Sequence, residues 1–584
     1  MRSWLTGVER RWVALVAGTV VALMLVLFTW QLGRAVITLD RAGSAAPLLA
    51  QQLAAGDVES AEVTQAQLSE DARTARRMTD GPGWAVASVI PVVGDDLGAL
   101  RVMARSLDRL GAQVLPDVLD VAEDLQLRTF SPQDGEIDLA AVERTAPVVA
   151  TSRVVVDEVA ADLRTIDTGS LFGRLRVPVR ALQQTIAATQ TVASAADAAG
   201  DLLPTMLGGE GTRRYLLLIQ NNAEARSLGG IPGSFAIITA RDGEITMGRQ
   251  GSAVDIRQRS EPIVELTAGE RAVFPDTLAR DIRNVTFSPD FTRAAPIAAA
   301  LAEEALDVEI DGVVSVDPVA LSSLLTGLGP VELDDGVQLT AETAVAELLN
   351  GTYRRYPVDV VAQDEVFTDA ARRIFDRFVS GVGNVQAVLE SLVGSSRENR
   401  ILVWSADAAE QERIEATGVA GLPPGGASAP NVGVYLNDAT GAKMQFYLQS
   451  GSVLTARECV DDRQTMDVIT TLRSTAPESG LSPSVTGLNP AVEPGDQQLN
   501  VRIVSPDGGS VTALEVDGER RDLVGGDLDG RDVAIVPVLL EPGGSVVVRS
   551  TVVSAPGQDG RPVLTTTPGI ASAVNDVRSP SACG

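Results

Sequence analysis

The sequence predicts a multidomain protein with an N-terminal transmembrane helix, an α-helical bundle or stalk, a central layered α/β domain and a C-terminal immunoglobulin-like β-sandwich. Three observations predict this arrangement. An uncharged apolar run occupies residues 12–30, strand-like and helix-like patterns alternate through the middle of the chain, and short alternating strands separated by turn signals follow. The 584 residues also exceed what one hydrophobic core usually supports. We place the domains at residues 1–34, 35–204, 205–425 and 430–584.

The N-terminal run WVALVAGTVVALMLVLFTW is long enough to cross a hydrocarbon core as a helix. Arg2, Arg10 and Arg11 precede it, and a tryptophan lies at each end, where an interfacial ring is favoured. The residues after it do not form a small-residue cleavage site, which favours an uncleaved signal anchor over a signal peptide. We therefore expect a single-pass plasma-membrane protein with a cytoplasmic N-terminus and with the bulk of the chain extracytoplasmic.

Residues 35–204 are rich in Ala, Leu, Val, Gln, Glu and Arg. Between positions 100 and 125 the apolar residues recur every three or four positions, which is the spacing of a buried seam in a helical bundle or short coiled coil. The predicted role of this segment is a stalk that holds the next domain away from the membrane.

Residues 205–425 alternate between strand and helix patterns, which is typical of a layered α/β domain with a parallel or mixed sheet. Turn signals and N-cap residues separate these patterns. The predicted strands are 215–219, 235–239, 284–287, 312–316, 331–333 and 401–405, and the predicted helices are 292–306, 318–328, 340–350 and 364–392.

The last 155 residues carry about seven short alternating runs with Asp-Gly and Pro-Gly turns between them, which predicts the immunoglobulin-like sandwich. Cys459 and Cys583 are the two cysteines of the chain. In an oxidising compartment we expect them to form a disulfide that ties the terminal segment to the domain, and two free thiols are the alternative. The runs are residues 444–448, 453–457, 465–472, 499–504, 511–516, 533–540 and 545–553.

Composition excludes several kinds of chemistry. With 77 acidic residues against 48 basic ones, the chain does not favour a nucleic-acid partner. The sequence has no histidine, which excludes Ser-His-Asp and Cys-His catalysis and HExxH zinc sites. Its single lysine, Lys443, is distant in sequence from the polar cluster described next, so a Ser-Lys dyad is not expected. Carboxylates, arginines, hydroxyls and amides remain, with a hard cation as a candidate cofactor.

A polar cluster directly follows the strand predicted at 215–219 and is the strongest site candidate. A strand that opens into a polar loop with adjacent glycines is a common way to present a site. Arginine forks, amide groups and backbone N–H groups together would bind an anion. Alternatively, the arginine pairs with the nearby glutamate and the asparagines satisfy turn backbone. The cluster comprises Gln220, Asn221, Asn222, Glu224, Arg226, Gly229 and Gly230.

The strings LIQNNAEARSLGGIPGSF, NVTFSPDFTRAA and DGVVSVDPVALSSLLTGLGPVEL resemble the bacterial family called domain of unknown function 4012. The helical segment PGWAVASVIPVVGDDLGALR and the distal NVGVYLNDATGAKMQFYL extend the resemblance over roughly residues 80–460. The family consists of uncharacterised envelope proteins, often actinobacterial. The resemblance therefore implies a cell-envelope or cell-wall location and no defined activity.

A more distant similarity, over residues 289–333 and LTAETAVAELLNGTYRRYPVDVVAQDEVFTDAARRIFDRF, is to the LytR-CpsA-Psr family. Its members transfer glycopolymers from polyprenyl-pyrophosphate carriers onto peptidoglycan, with magnesium at the site. Asn221, Asn222 and Glu224 stand where that family has aspartates, which favours binding over catalysis. The resemblance implies, as phosphate-binding residues, Arg226, Arg354, Arg355, Arg372 and Arg373. The candidate metal ligands are Glu224, Asp255 and Asp364.

Two functions from different classes follow. In the first, a membrane-anchored extracytoplasmic protein binds, or binds and transfers, a lipid-linked or cell-wall glycopolymer through the Arg- and Asn-rich anion site. Its partners would be the membrane and a polyprenyl-phosphate lipid or wall glycopolymer. In the second, the chain is a non-enzymatic scaffold or adhesion protein of the envelope. Arginines that converge on one pocket beside Glu224 would favour the first function, and scattered arginines would weaken it.

Overall fold

The computed structural model describes residues 7–54, 57–90, 93–121, 132–422, 428–487, 489–570 and 574–583. The chain divides into two compact units. The first falls within Met1–Phe130 and Asp138–Pro204, and the second falls within Ser131–Ile137 and Thr205–Gly584.

The first unit is an α-helical bundle whose core is centred on Trp84. The indole N–H of this fully buried residue donates a hydrogen bond to the carbonyl of Leu97 at 3.0 Å, and the ring of Phe28 lies 5.3 Å from it. Side-chain caps start two of the helices, since Asp57 and Asp138 each accept a hydrogen bond from a first-turn N–H. The helices are α1 (Gly7–Ala54), α2 (Val58–Thr79), α3 (Pro82–Ala87), α4 (Gly94–Gln113), α5 (Leu115–Asp120), α6 (Leu139–Arg164) and α7 (Gly173–Met206).

The predicted N-terminal transmembrane helix is wrong. Across the ranges that the structure describes, no helix is both long enough and apolar enough to cross a membrane. Helix α1 continues well past residue 30 as one helix and carries Arg34, Asp40 and Arg41 in its later turns. Phe28, near the end of the predicted span, and Leu32, just after it, pack on the core around Trp84. Apolar residues at this end are therefore explained by bundle packing, and the side chains of residues 7–27 lie outside the described residues.

The first part of the second unit is a layered α/β segment. Asp and Asn side chains cap many of its helices by accepting first-turn N–H bonds. Its elements are β1 (Arg213–Arg226), β2 (Gly229–Arg241), β3 (Glu244–Ser252), α8 (Ala268–Val273), α9 (Phe291–Leu306), β4 (Gly312–Val316), α10 (Pro318–Leu328), β5 (Val331–Glu332), β6 (Gln338–Leu339), α11 (Ala344–Ala346), α12 (Thr352–Arg355), α13 (Val360–Val379), α14 (Val385–Arg397), β7 (Ile401–Ser405) and α15 (Ala408–Glu415).

Five of these strands form a mixed sheet in the order β3-β2-β1-β4-β7. Strand β1 pairs parallel with β4, and the other neighbours are antiparallel. Because side chains alternate along a strand, Leu216 and Leu218 share one core with Ile297 of α9. Leu217 and Ile219 face the opposite side, towards α10, α13 and α14. The sheet is thus covered on both faces.

Several predicted elements differ in the structure. Residues 284–287 lie in the 3-10 helix Ile282–Phe287 instead of a strand. The helix predicted over 364–392 is two helices, α13 and α14, because Gly381 and Gly383 between them have φ angles of 67° and 130°. The helix predicted over 340–350 is the short α11 followed by the π-helical turn Glu347–Gly351, and residues 444–447 form a 3-10 helix instead of a strand.

The second part of this unit is a β-sandwich. Its two sheets have the orders β13-β12-β16-β10-β9-β18 and β14-β15-β11-β8-β17, and they pack across one apolar core. The elements are β8 (Asn431–Asp438), β9 (Leu448–Val460), β10 (Arg463–Ser474), α16 (Pro483–Thr486), β11 (Gln497–Val504), β12 (Ser510–Val516), β13 (Glu519–Arg520), β14 (Val524–Leu528), β15 (Arg531–Leu540), β16 (Ser545–Val553), β17 (Val563–Thr566) and β18 (Asp576–Val577).

The α/β segment and the sandwich share hydrophobic cores. Tyr435, Val504 and Val533 of the sandwich belong to the core that contains Leu216 and Ile297. Met444 and Val485 likewise pack with the helices on the other face of the sheet. The two segments therefore form one compact unit, although their sequence patterns differ at the boundary near residue 430.

The predicted disulfide is confirmed. Cys459, near the end of β9, is bonded to Cys583, with an S–S distance of 1.98 Å and a sequence separation of 124 residues. The bridge closes a loop that contains most of the sandwich.

Replacing Cys459 by Ser should lower the free energy of unfolding by about 4–5 kcal/mol, because a cross-link over a loop of this length strongly restricts the unfolded chain. Urea unfolding of the full chain measures this difference. Cys583→Ser, the double variant and the reduced wild type should give the same loss. An unchanged midpoint of urea unfolding in the three variants and in the reduced wild type would contradict the prediction.

Candidate functional site

The polar cluster is part of a buried strand instead of a loop, which corrects the sequence interpretation. Strand β1 continues through it to Arg226, and the register changes from Asn221 opposite Ile231 to Ala225 opposite Gly230. Residues 222–224 therefore form a bulge with no counterpart on β2. Gly230 is required there, because a Cβ atom at this position would lie 2.4 Å from the backbone of Asn221. Gly229 has a φ of 120°, which side chains rarely adopt.

The amide side chains in and just before the bulge donate hydrogen bonds into the protein. Asn221 Nδ2 donates to the hydroxyl of Tyr353 at 2.5 Å, and Asn222 Nδ2 donates to Asp317 at 3.0 Å. Gln220 Nε2 donates to Ser315 Oγ at 2.8 Å. All three amides are buried. Their geometry attaches β1 to its neighbours, and these amide groups have few donors left for an external ligand.

Asp317 is the centre of this buried network. It caps α10 by accepting the Ala320 N–H at 2.7 Å, and it pairs with the buried guanidinium of Arg400 at 2.8 Å. Arg400 also donates to the carbonyl of Gly569 at 2.7 Å. Asn222 is therefore linked through Asp317 and Arg400 to the segment between β17 and β18 of the sandwich.

Arg226 is 5% exposed and is held by groups close to it in sequence. Its guanidinium donates to Glu224 at 2.7 Å and to the carbonyl of Ala225 at 2.9 Å. The guanidinium carbon lies 4.5 Å from the centre of the Phe287 ring. The pairing with Glu224 is the one that the sequence offered as the alternative to anion binding.

The other predicted anion-binding arginines do not join Arg226. Arg355 pairs with Glu347 at 2.6 Å and with Asp335 at 3.6 Å. Arg372 and Arg373 of α13 both pair with Asp369 and Asp334. Hydrogen bonds to Asp369 and Asp334 raise the pKa of Arg373.

These three arginines therefore gather around the acidic turn between β5 and β6, where carboxylates already occupy their donors. Arg354 is exposed on α12. Arg226 is not part of this group and is buried inside the protein. The arrangement does not form the single arginine-lined pocket beside Glu224 that would have favoured the predicted anion site.

Asp255 and Asp364 line a cleft of about 570 Å³ together with Ser252, Tyr356 and Thr368. Ser252 donates through its backbone N–H to Asp255 at 2.9 Å and through its hydroxyl to Asp364 at 2.6 Å. Burial raises the pKa of Asp364, and the charge of Asp255 adds to this effect. The cleft also has an apolar rim that includes the exposed side chains of Val254 and Val361.

The implied magnesium site does not fit these residues. In the described part of the chain, no three Asp, Glu or Cys side chains are grouped so as to hold a metal ion. The carboxylates of Asp255 and Asp364 are both engaged by Ser252, and Glu224 is engaged by Arg226. We therefore derive no chemical step through a metal.

An apolar cavity of about 260 Å³ lies between the central sheet and the helices α10, α13 and α14. Among the residues that the structure describes, no charged side chain lines it, and the hydroxyl of Tyr215 at its edge donates to the carbonyl of Met206 at 2.6 Å. The sequence predicted a layered α/β domain but not this cavity, which depends on side chains from three helices. Its lining includes Leu217, Ile219, Leu321, Leu324, Ile374 and Phe378.

Comparison with known proteins supports one of the two resemblances. Residues 210–353 match the model of the family described as "Protein of unknown function (DUF4012)". This DUF4012 segment runs from β1 to α12 and contains the whole polar cluster. Its match confirms that resemblance for these residues.

No curated protein matches the chain. A solved structure that is similar is the crystal structure of protein gbs0355 from Streptococcus agalactiae, a structural-genomics target. It has a TM-score of 0.24 and 13% sequence identity, and the match covers 37% of this chain and 76% of that chain.

Two charged residues from the sandwich lie near the DUF4012 segment and were missed by sequence reasoning. Asp438 Oδ2 accepts backbone hydrogen bonds from Thr440, Gly441 and Ala442 at 2.6–3.2 Å, while Oδ1 has no partner in the described part of the protein. Burial raises the pKa of Asp438 to about 7, with a contribution from the charge of Glu224. An Asp followed by small residues after a strand signals only a turn, so the sequence alone does not reveal this environment.

Lys443 is the second charged residue near the DUF4012 segment that sequence reasoning missed. Its ammonium lies 5.4 Å from the centre of the Tyr353 ring, and Tyr353 accepts the hydrogen bond of Asn221. The single lysine is therefore close in space to the polar cluster, from which it is separated by more than 200 positions in sequence. Its charge also lowers the pKa of Asp364, against the larger effect of burial.

Replacing Asp438 by Asn should change the pH dependence of stability. Because the pKa of about 7 in the folded state is above the ordinary value of 3.8, the stabilising contribution of protonation is complete below pH 4 and is lost as the pH rises through 7. Relative to the wild type, the variant should therefore gain about 4 kcal/mol between pH 4 and pH 8.

Unfolding free energies at several pH values measure this difference. Asp522→Asn, at an exposed position of the sandwich, is the matched control and should show no comparable trend. A difference between Asp438→Asn and wild type that does not vary with pH would contradict the prediction.

Proposed function

We propose that the second unit binds an amphipathic ligand of the lipid-linked glycopolymer class. The apolar chain of the ligand lies in the cavity beside β1 and β4, and its hydroxyl-rich head group lies in the cleft beside α13. The apolar cavity of about 260 Å³ is the observation that carries the proposal.

An unfilled apolar cavity of this size is costly. Apolar surface that it leaves accessible to water is unfavourable by about 25 cal/mol per Å². Apolar cavities of similar size exclude water and bind apolar molecules. An aliphatic chain is therefore a better physical explanation of this cavity than a packing defect.

Helix α13 connects the two parts of the proposed ligand site. Asp364 and Thr368, in its first half, line the cleft, and Ile374 and Phe378, in its second half, line the cavity. A ligand that extends along this helix would contact both. This favours one molecule with a polar and an apolar end over two unrelated ligands.

The cleft is suited to the hydroxyl-rich sugar part of the head group. Carboxylates and hydroxyls accept and donate the hydrogen bonds that sugar hydroxyls make, and Asp255, Asp364 and Ser252 present them. Arg372, at the same cleft, already pairs with Asp369 and Asp334. A phosphate would have to compete with these carboxylates, whereas a glycan would not.

The distant LytR-CpsA-Psr resemblance supports a polyprenyl carrier as the source of the apolar chain. The disulfide Cys459–Cys583 supports an oxidising, extracytoplasmic location. Because the candidate metal ligands do not fit a magnesium site, the proposal is one of binding and not of transfer.

Replacing Ala371 by Phe tests the cavity directly, because Ala371 is buried and lines it. The larger ring should raise the melting temperature of the full chain and weaken the binding of a detergent-solubilised polyprenyl phosphate at least about tenfold, a change of about 1.4 kcal/mol. Native mass spectrometry and thermal unfolding measure the two effects. Ala409→Phe, at an exposed position of α15, is the matched control.

Two results would reject parts of this proposal. If the wild type binds no polyprenyl phosphate, or binds it as tightly after Ala371→Phe, the cavity is not the site of the lipid. If a polyprenyl-linked glycan binds no more tightly than the bare carrier, the cleft does not bind the head group. A milder substitution, Ala371→Leu, covers the case in which the phenylalanine variant does not fold.

A further inference from the structure

Two connections between helices meet at one end of the bundle in the first unit. Residues 81–93 connect α2 to α4 and include the short α3, and residues 165–172 connect α6 to α7. The backbone N–H of Phe172 donates to the carboxylate of Asp96, in the first turn of α4, at 3.1 Å. The two connections are therefore neighbours in space and form one surface.

This surface exposes large apolar side chains. Residues 81–94 have the sequence GPGWAVASVIPVVG, which contains no charged residue. Trp84 is fully buried and anchors the first connection, whereas Val89 is 78% exposed and Ile90 is 48% exposed. From the second connection, Phe172 is 52% exposed. Exposed apolar side chains that lie together in this way mark an interaction site.

A groove of about 500 Å³ between α6 and α7 lies beside the second connection. Its lining includes Arg164, Arg180 and Gln183, together with Thr168 of the connection. Arg180 donates to the hydroxyl of Thr168 at 3.1 Å. In the described part of the chain, neither Arg164 nor Arg180 has a carboxylate within ion-pair distance. Their guanidinium groups are thus available to an anionic partner.

The local charge around the groove is opposite to that of the whole chain. Residues 164–184 contain four arginines and one carboxylate, whereas the net charge of the chain is −29. That carboxylate, of Asp167, accepts the N–H of Gly169 at 2.8 Å. Asp162, one turn before the end of α6, pairs with Arg109 at 3.3 Å. Charge complementarity therefore favours an anionic partner for this end of the bundle.

We propose that this end of the bundle docks on the surface of an anionic phospholipid bilayer. The aliphatic side chains of residues 86–90 and the ring of Phe172 enter the boundary between head groups and acyl chains. The groove with Arg164 and Arg180 binds a head-group phosphate. Apolar side chains beside cationic ones match the two layers of such a surface, and this match favours lipid over a protein partner.

The docking is peripheral and uses the two connections instead of a helix that spans the bilayer. Its residues belong to the first unit, whereas the cavity and the cleft of the proposed function belong to the second. The two proposals therefore rest on different residues and can be tested separately.

Co-sedimentation of the full chain with vesicles tests the contribution of charge. Vesicles of equal parts phosphatidylglycerol and phosphatidylcholine should bind the chain at least about tenfold more tightly than vesicles of phosphatidylcholine, and added salt should reduce the difference. Replacing both Arg164 and Arg180 by Gln should remove most of this preference, because the phosphate loses its guanidinium partners. Arg549→Gln, at an exposed position of β16, is the matched control and should bind like the wild type.

A nitroxide label at position 89 tests the apolar contact. Because the two native cysteines are bonded to each other, the label on the Val89→Cys variant attaches to the introduced thiol. Paramagnetic resonance of the labelled full chain should show that vesicles increase the collisions of the label with oxygen relative to those with a water-soluble nickel complex. Val63→Cys, on α2, is the matched control, because Val63 is similarly exposed, at 70%, and should stay in water.

The proposal is overturned if the label at position 89 stays in water when vesicles are present, or if the double arginine variant keeps the full preference for phosphatidylglycerol. A label that becomes shielded from both reagents would reject the lipid surface in favour of a protein contact. Glycerol phosphate that binds as tightly as the vesicles would reject it in favour of a free phosphate. Ala371→Phe should leave vesicle binding unchanged, so a failure of this proposal is distinguishable from a failure of the proposed function.

Discussion

The fold of the second unit depends on how the bulge in β1 is satisfied. Backbone groups in a bulge lose their partners in the strand ladder and need others. Asn221 supplies one, because its Oδ1 accepts the N–H of Ala223 at 3.1 Å while its Nδ2 donates to Tyr353. Asn222 supplies a connection to Asp317 and hence to the start of α10. Loss of one partner would leave a buried polar group unsatisfied, at a cost of about 1–3 kcal/mol.

The same segment fixes the α/β sheet on the sandwich. Directly after β1, the N–H of Ser227 donates to Asn437 of β8 at 3.1 Å, and the Ser227 hydroxyl donates to the carbonyl of Phe287 at 2.8 Å. Thr567 donates to the carbonyl of Ser227 at 3.3 Å. The hairpin between β1 and β2 is therefore hydrogen-bonded to the sandwich on one side and to Phe287 on the other. A polar sequence is needed here because a purely apolar hairpin would leave these backbone groups without partners.

The sequence was sufficient where one local signal was strong. The apolar patterns at 292–306, 312–316, 318–328 and 401–405 gave elements close to α9, β4, α10 and β7, and two cysteines allowed one intramolecular pairing. The sequence was insufficient where two different structures have the same sequence pattern. Polar residues followed by glycines indicate a loop, yet a buried bulge has the same composition. An uncharged run indicates a membrane span, yet at Phe28 and Leu32 the apolar residues pack in a bundle.

Contacts between distant positions were also out of reach. Asp438, Lys443 and Arg502 are more than 200 residues from β1 in sequence, and no local pattern places them beside it. The burial of Arg502 is nevertheless consistent with the composition of the chain, in which almost every basic residue is an arginine. Of its 48 basic residues, Lys443 is the single lysine, so 47 are arginines. Lysine presents a compact, strongly hydrated charge, whereas the guanidinium is planar, more weakly hydrated and able to stack on rings.

The use of arginine instead of lysine makes the burial of a positive charge feasible. Arg226 stacks on Phe287 and Arg400 pairs with Asp317 inside the protein, where an ammonium would be less easily accommodated. The chain has a net charge of −29, and buried arginines such as Arg226 and Arg400 pair with carboxylates. Arg502 differs because the groups around it are aromatic rings and a second arginine.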